Sequence, residues 1–216
     1  MEYNDIELEE IKKTHPEYSL LFAREFCGSI IQYGIIKGNN KILFIKPGQD
    51  GSLVGYKDKY YNLAKYINKK YGMTVISSNN PYIKPYNPLD DAMQVINAYV
   101  KEMNYDEYEV YYLGNSCGGM LGARYSYLYS CIKNALLINP PLMINFHKMK
   151  DGVEEFDGKK LVFIYGSKDP SMNLIGLLDV IENKKVAYDI IEGEDHNFSK
   201  NKCSLEYLVE KYLINE

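Results

Sequence analysis

Gly114-Asn115-Ser116-Cys117-Gly118-Gly119 follows the apolar run Val110-Tyr111-Tyr112-Leu113 and precedes a helical stretch that begins at Met120. It is a G-x-S-x-G pattern set between a strand and a helix. A strand that turns so sharply crowds its own backbone, so the positions two before and two after the serine must lack side chains. The hydroxyl of Ser116 is then held clear of the chain at the strand's tip. The amide of Cys117 opens the helix, whose positive end suits a developing negative charge. A glycine-rich turn of this kind also suits phosphate, so the stretch alone leaves two readings open.

Working outward, short apolar runs alternate with helical patterns along the whole chain. The runs cover 42–45, 73–76, 110–113, 135–138, 161–165 and 186–191, each four to six residues rich in β-branched or aromatic types. Apolarity without alternation predicts strands buried on both faces of a parallel sheet. Tyr60, Leu63, Ala64, Ile67 and Tyr71 follow helical spacing up to a stop at Gly72, and Leu89, Met93, Ile96 and Val100 repeat it after Pro88. Strand–helix alternation implies right-handed βαβ units, hence an α/β fold: a mainly parallel twisted sheet with helices on both faces. Residues 29–36 and 41–46 flank Lys37-Gly38-Asn39-Asn40 and read as an N-terminal antiparallel hairpin. The first 25 residues read as a leading helix interrupted near Pro16. Without repeats or linkers, residues 1–216 are expected to form a single domain.

Ligands of such a sheet bind outside the carboxyl ends of its strands. Asp169 lies in the loop after the 161–165 run, in Gly166-Ser167-Lys168-Asp169, and His196 in the loop after the last run, in Gly193-Glu194-Asp195-His196. A serine needs a base, and the base needs a group that orients it. Ser, Asp and His thus occur on three loops at one sheet edge, in the chain order of a hydrolase triad.

On these stretches the chain resembles the α/β-hydrolase-fold serine hydrolases, from about Lys41 to the C-terminus, as a compact esterase-like member without a large cap. The resemblance implies Ser116 as nucleophile, His196 as general base and then acid, and Asp169 as the residue orienting the imidazole. It also implies an oxyanion hole from the amides of Cys117 and Gln49, the latter in Pro47-Gly48-Gln49, where Pro47 stands at a position usually held by His. A cap is inserted after 138 in related enzymes, but here only 139–157 is available, too short to fold independently. Its Met143 and Phe146, with Tyr82 and Tyr86 of the proline-rich loop 80–88, are candidate substrate-binding residues. Rivals fit less well: Cys117 is out of frame for the nucleophile, Asp195 is a sequence neighbour of His196, and Asp179, His147 and His15 lie away from the expected positions.

Composition narrows the partners. Net charge is −4 and no Lys/Arg run exceeds two residues, which gives nucleic acid no footprint. No apolar run reaches the ~20 residues of a membrane span, so stable membrane insertion is not expected. The acidic start MEYNDIELEE lacks the features of a secretory leader, and the four cysteines form no C-x-x-C pair, which fits a cytoplasmic location. No metal-ligand motif or nucleotide loop occurs, so no cofactor or metal is expected. The expected partner is a small-molecule ester or thioester. Acyl transfer by the same residues, and a noncatalytic binding module on the same fold, are the alternatives; a peptidase would need a larger selecting cap.

Overall fold

The computed structural model describes residues 3–81, 87–200 and 202–215. The chain divides into two compact units, 1–108 and 109–216.

The first unit begins with α1 (Tyr3–Thr14), followed by β1 (Leu20–Phe26), β2 (Ser29–Ile36) and β3 (Asn39–Lys46). Then come α2 (Lys59–Tyr71), β4 (Met73–Ser78) and α3 (Pro88–Glu102). The strands lie in the order β1-β2-β4-β3. An antiparallel hairpin is present, but its members are β1 and β2, not β2 and β3. Cys27 and Gly28 turn it with φ of 51° and 78°, the two left-handed residues of a tight two-residue hairpin. The stretch 20–26 is therefore a strand, although Leu, Ala, Arg and Glu favour helices; pairing with β2 overrides that preference. The turn-like Lys37-Gly38-Asn39-Asn40 carries the chain across the start of β4, which separates β2 from β3. A side chain at Gly38 would sit 2.4 Å from the backbone of Met73, so the crossing needs glycine. The Thr74 hydroxyl fastens it, accepting from Gly38 N at 3.1 Å and donating to Asn39 O at 2.8 Å.

α2 buries Tyr60, Tyr61, Leu63, Ala64 and Ile67 and ends at Gly72, whose φ of 66° sends its amide back to Asn68 O. α3 is capped by Asn87, which accepts from Leu89 N at 3.0 Å, with Pro88 in the first turn. Lys46, the last residue of β3, is fully buried, donating to Ser78 Oγ at 3.2 Å and Asn79 O at 2.8 Å. Burial pushes its ammonium down to about 7, against a smaller opposing pull from Asp91. The native state then binds fewer protons than an unfolded chain whose lysine titrates near ~10.4, so stability rises with pH through this window. Chemical denaturation across the window is expected to show that rise, reduced in Lys46→Met. An equal slope in the variant would refute the assignment.

The second unit holds β5 (Glu109–Asn115), α4 (Cys117–Tyr125), β6 (Ile132–Ile138) and α5 (Phe146–Glu154). β7 (Lys160–Gly166), a 3-10 helical run (Pro170–Val180), β8 (Val186–Ile191) and α6 (Leu205–Val209) follow, and α6 runs on into a π-helical turn at Glu210–Ile214. Its four strands run parallel in sequence order, with Leu113 opposite Leu136, Leu137 opposite Phe163 and Ile164 opposite Asp189. The apolar centres of β5, β6 and β7 are buried, as continuous apolarity predicts. β8 departs from that expectation: it closes the row, and Tyr188 and Ile190 are exposed. Because the strands are parallel, the loops after 115, 138, 166 and 191 emerge at one edge.

Candidate active site

Ser116 stands between β5 and α4 with φ 51° and ψ −119°, a conformation that costs a non-glycine residue about 1–3 kcal/mol. Two backbone bonds hold it there: its amide donates to Ile138 O at 2.7 Å, and its carbonyl accepts from Met120 N at 3.0 Å. Gly114, two before the serine, has the anticipated steric reason, and Gly119, one residue beyond the pattern, has one of its own. A Cβ on Gly114 would lie 2.5 Å from Gly118 O, and one on Gly119 would lie 3.2 Å from Gly114 O. The buried Tyr112 hydroxyl donates to Gly118 O at 2.6 Å, tying the first turn of α4 to β5. Cys117 is the first residue of α4, so its amide belongs to the helix's free N-terminal donors, and its thiol is half-buried.

The structure brings Ser116, His196 and Asp169 together. His196 Nε2 lies 3.0 Å from Ser116 Oγ, and His196 Nδ1 lies 2.5 Å from Asp169 Oδ2. Asp169 is buried and its other oxygen, Oδ1, accepts from Ser171 N at 2.7 Å. A carboxylate facing Nδ1 fixes the tautomer with the proton there and leaves the Nε2 lone pair toward the serine. The Asp195 carboxylate is engaged within its own loop: it accepts from the amides of Asn197 and Ser199, both at 3.0 Å, and from the Ser199 hydroxyl. The Ser199 hydroxyl foremost, then the Ser199 and Asn197 amides, pull the Asp195 carboxyl down to about 2 against the desolvation that opposes them.

Polar residues that the sequence reading passed over brace these loops. Asn139, fully buried at the end of β6, joins Gly166 N to the carbonyls of Asp195 and His196. Ser171 Oγ accepts from Leu142 N at 3.3 Å and donates to Pro140 O at 3.4 Å. Glu194, fully buried, accepts from the amides of Lys200 and Lys202. Their only sequence signal is a polar residue beside an apolar run, which every loop supplies.

In the first unit, Gln49 follows β3 in a turn closed by Gly51 N donating to Gly48 O at 3.0 Å. Asn80 braces that turn: its side chain donates to Pro47 O at 2.9 Å, and its backbone pairs with Asp50 N and Gly51 O. Tyr82 and Tyr86 lie outside the described residues. Segment 139–157 contains α5, with Leu142 and Met149 buried, Met143 exposed and Phe146 half-buried. His147 is exposed on α5, and His15 is paired with Asp58 at 3.2 Å. Among the described residues, no group of three His, Cys, Asp or Glu is placed to hold a metal, and no helix is long and apolar enough to cross a membrane.

No protein-family model matches the sequence, and no curated protein matches it. Solved structures do match. Est1E from Butyrivibrio proteoclasticus superposes with a TM-score of 0.63 at 13% identity, over 84% of this chain and 92% of that one. An alpha-beta serine hydrolase homologue from Coxiella burnetii gives 0.65 at 13% identity, over 89% and 96%. The thioesterase domain from the curacin biosynthetic pathway gives 0.60 at 12% identity, over 88% and 99%. The strand order, the parallel register and these superpositions agree: the chain has the α/β-hydrolase fold.

Proposed function

We propose that the chain is a serine hydrolase that cleaves a small carboxylic ester or thioester through an acyl-enzyme. The observation that carries this reading is the unbroken run from Asp169 Oδ2 through His196 to Ser116 Oγ, with contacts of 2.5 and 3.0 Å. Two esterases, a serine hydrolase homologue and a thioesterase domain among the structural neighbours support it. In the mechanism, His196 Nε2 takes the hydroxyl proton as Ser116 attacks the acyl carbon. Negative charge gathers on the former carbonyl oxygen and is met by the Cys117 amide at the α4 N-terminus. The second donor is assigned to Gln49 on the family resemblance alone. The imidazolium, steadied by Asp169, passes its proton to the leaving alcohol or thiol. Water, deprotonated by the same His196, then releases the acid and restores the serine.

A fluorophosphonate probe tests this without knowledge of the substrate. It phosphonylates an activated serine, and intact-mass and peptide analysis should place one adduct on Ser116. Failure to label, or labelling elsewhere, would overturn the reading.

The apolar side chains that 139–157 leaves accessible are few, chiefly Met143, Ile144 and part of Phe146. Each further methylene buried contributes roughly 0.8 kcal/mol, about fourfold in kcat/KM, only while wall remains to cover it. Across p-nitrophenyl esters from acetate upward, kcat/KM is therefore expected to level off or fall as the acyl chain lengthens. A steady rise through long chains, or a jump at the solubility limit, would show a lipase-like channel instead.

A further inference from the structure

Asn139 is the residue at which three loops of the second unit meet. It has no solvent exposure and a φ of 47°, left-handed backbone that Asn tolerates better than most residues. Its backbone amide donates to Ile164 O at 2.8 Å, which sets its Cα beside the end of β7. From there the side chain spends both kinds of hydrogen-bonding atom. Oδ1 accepts from Gly166 N at 2.9 Å. Nδ2 donates to His196 O at 2.8 Å and to Asp195 O at 3.2 Å.

These are the backbones that carry the candidate base and its orienting acid. Gly166 starts the turn that ends at Asp169, closed by Asp169 N donating to Gly166 O at 2.9 Å. His196 is itself one of the two residues whose carbonyls are held. Its side chain is 39% exposed, so packing fixes the imidazole only in part, and the hold on its backbone matters correspondingly more. Only an amide short enough for this space supplies an acceptor and two donors together. Aspartate has the same shape and accepts from Gly166 N, but as a carboxylate it would face two carbonyl oxygens with nothing to donate. Glycine keeps the backbone conformation and removes the bridge.

We infer that Asn139 is a positioning residue for catalysis: its side-chain amide locks the His196 loop to the Asp169 loop and so sets the imidazole between Asp169 Oδ2 and Ser116 Oγ. The inference rests on the hydrolase reading above and adds a residue that does not touch the reacting atoms. A displacement of the base by ~1 Å costs on the order of 100-fold in rate, which sets the scale of the effect.

The test compares wild type with Asn139→Asp and Asn139→Gly below each variant's melting temperature. Both are expected to lose about 10- to 100-fold in kcat on p-nitrophenyl acetate with KM within about threefold, the pattern of an interaction that serves the transition state. The rate of fluorophosphonate labelling should fall in parallel. The low-field proton resonance of His196 Nδ1, assigned by its loss in His196→Ala, should broaden or vanish although the fold persists; a merely structural asparagine would not move it. If Asn139→Gly does not fold, the isosteric aspartate decides. Folded variants with wild-type kcat and an unchanged resonance would overturn the inference, as would a loss that only tracks the folded fraction. A wild-type protein that is not labelled would overturn the hydrolase reading itself, and the resonance would still report whether Asn139 holds His196.

Discussion

Replacing Ser116 by alanine is expected to lower kcat/KM on an activated ester by on the order of 10⁴- to 10⁶-fold, down to the level that binding and the oxyanion donors alone sustain. Folding should survive. The bonds that shape the turn are the backbone bonds Ser116 N to Ile138 O and Met120 N to Ser116 O, and alanine keeps both. The left-handed φ of 51° is as strained for alanine as for serine, so no relief of strain offsets the change. What disappears is the one hydroxyl 3.0 Å from His196 Nε2. His196→Ala should cost nearly as much, and the double variant little more than either, because base and nucleophile act as a unit. Steady-state kinetics on the three variants, with circular dichroism to establish folding, checks this. A folded Ser116→Ala protein with near wild-type turnover would remove the serine from the reaction.

The elements that carry these residues were legible because their signals are local. A glycine two before a serine, an apolar run before it and a helical pattern after it are all contained in 110–125. The apolar runs before Asp169 and His196 mark β7 and β8 equally directly, and parallel pairing then delivers both loops to the same edge. Pairing partners were less legible. Gly38-Asn39-Asn40 has the composition of a hairpin turn, yet the chain there crosses over the start of β4, a strand more than thirty residues later in sequence. β1 was hidden for a related reason, since its helix-forming residues become a strand only through pairing with β2. The braces of the site were not legible at all. Asn139 reaches backbone 27 and 57 positions away, and Ser171 bonds to Pro140 across 31. Nothing local distinguishes these polar residues from a solvated loop; their burial and their partners exist only in the fold.

The two aspartates beside His196 are expected to separate sharply. Asp169→Asn should lower kcat on the order of 10⁴-fold with little change in KM, since an amide facing Nδ1 favours the wrong imidazole tautomer and leaves the imidazolium without its charge partner. The geometry behind this is specific: Asp169 is buried, one oxygen is held by Ser171 N and the other lies 2.5 Å from Nδ1. Asp195→Asn should cost no more than about tenfold, because the asparagine oxygen can still accept from the two backbone amides that shape the loop. The acid-side behaviour distinguishes them further. Asp195 has a carboxyl held at about 2, below the ordinary ~3.9 of an unfolded chain, so its loop bonds contribute stability above the unfolded value. That contribution is lost as pH falls through the folded value, and Asp195→Asn has none of it to lose. Parallel kcat profiles and acid-melting curves for both variants give the comparison. If Asp195→Asn proved the more damaging to kcat, the orienting acid would have to be Asp195, and the contact between Asp169 and Nδ1 would be a structural pairing without a part in the chemistry.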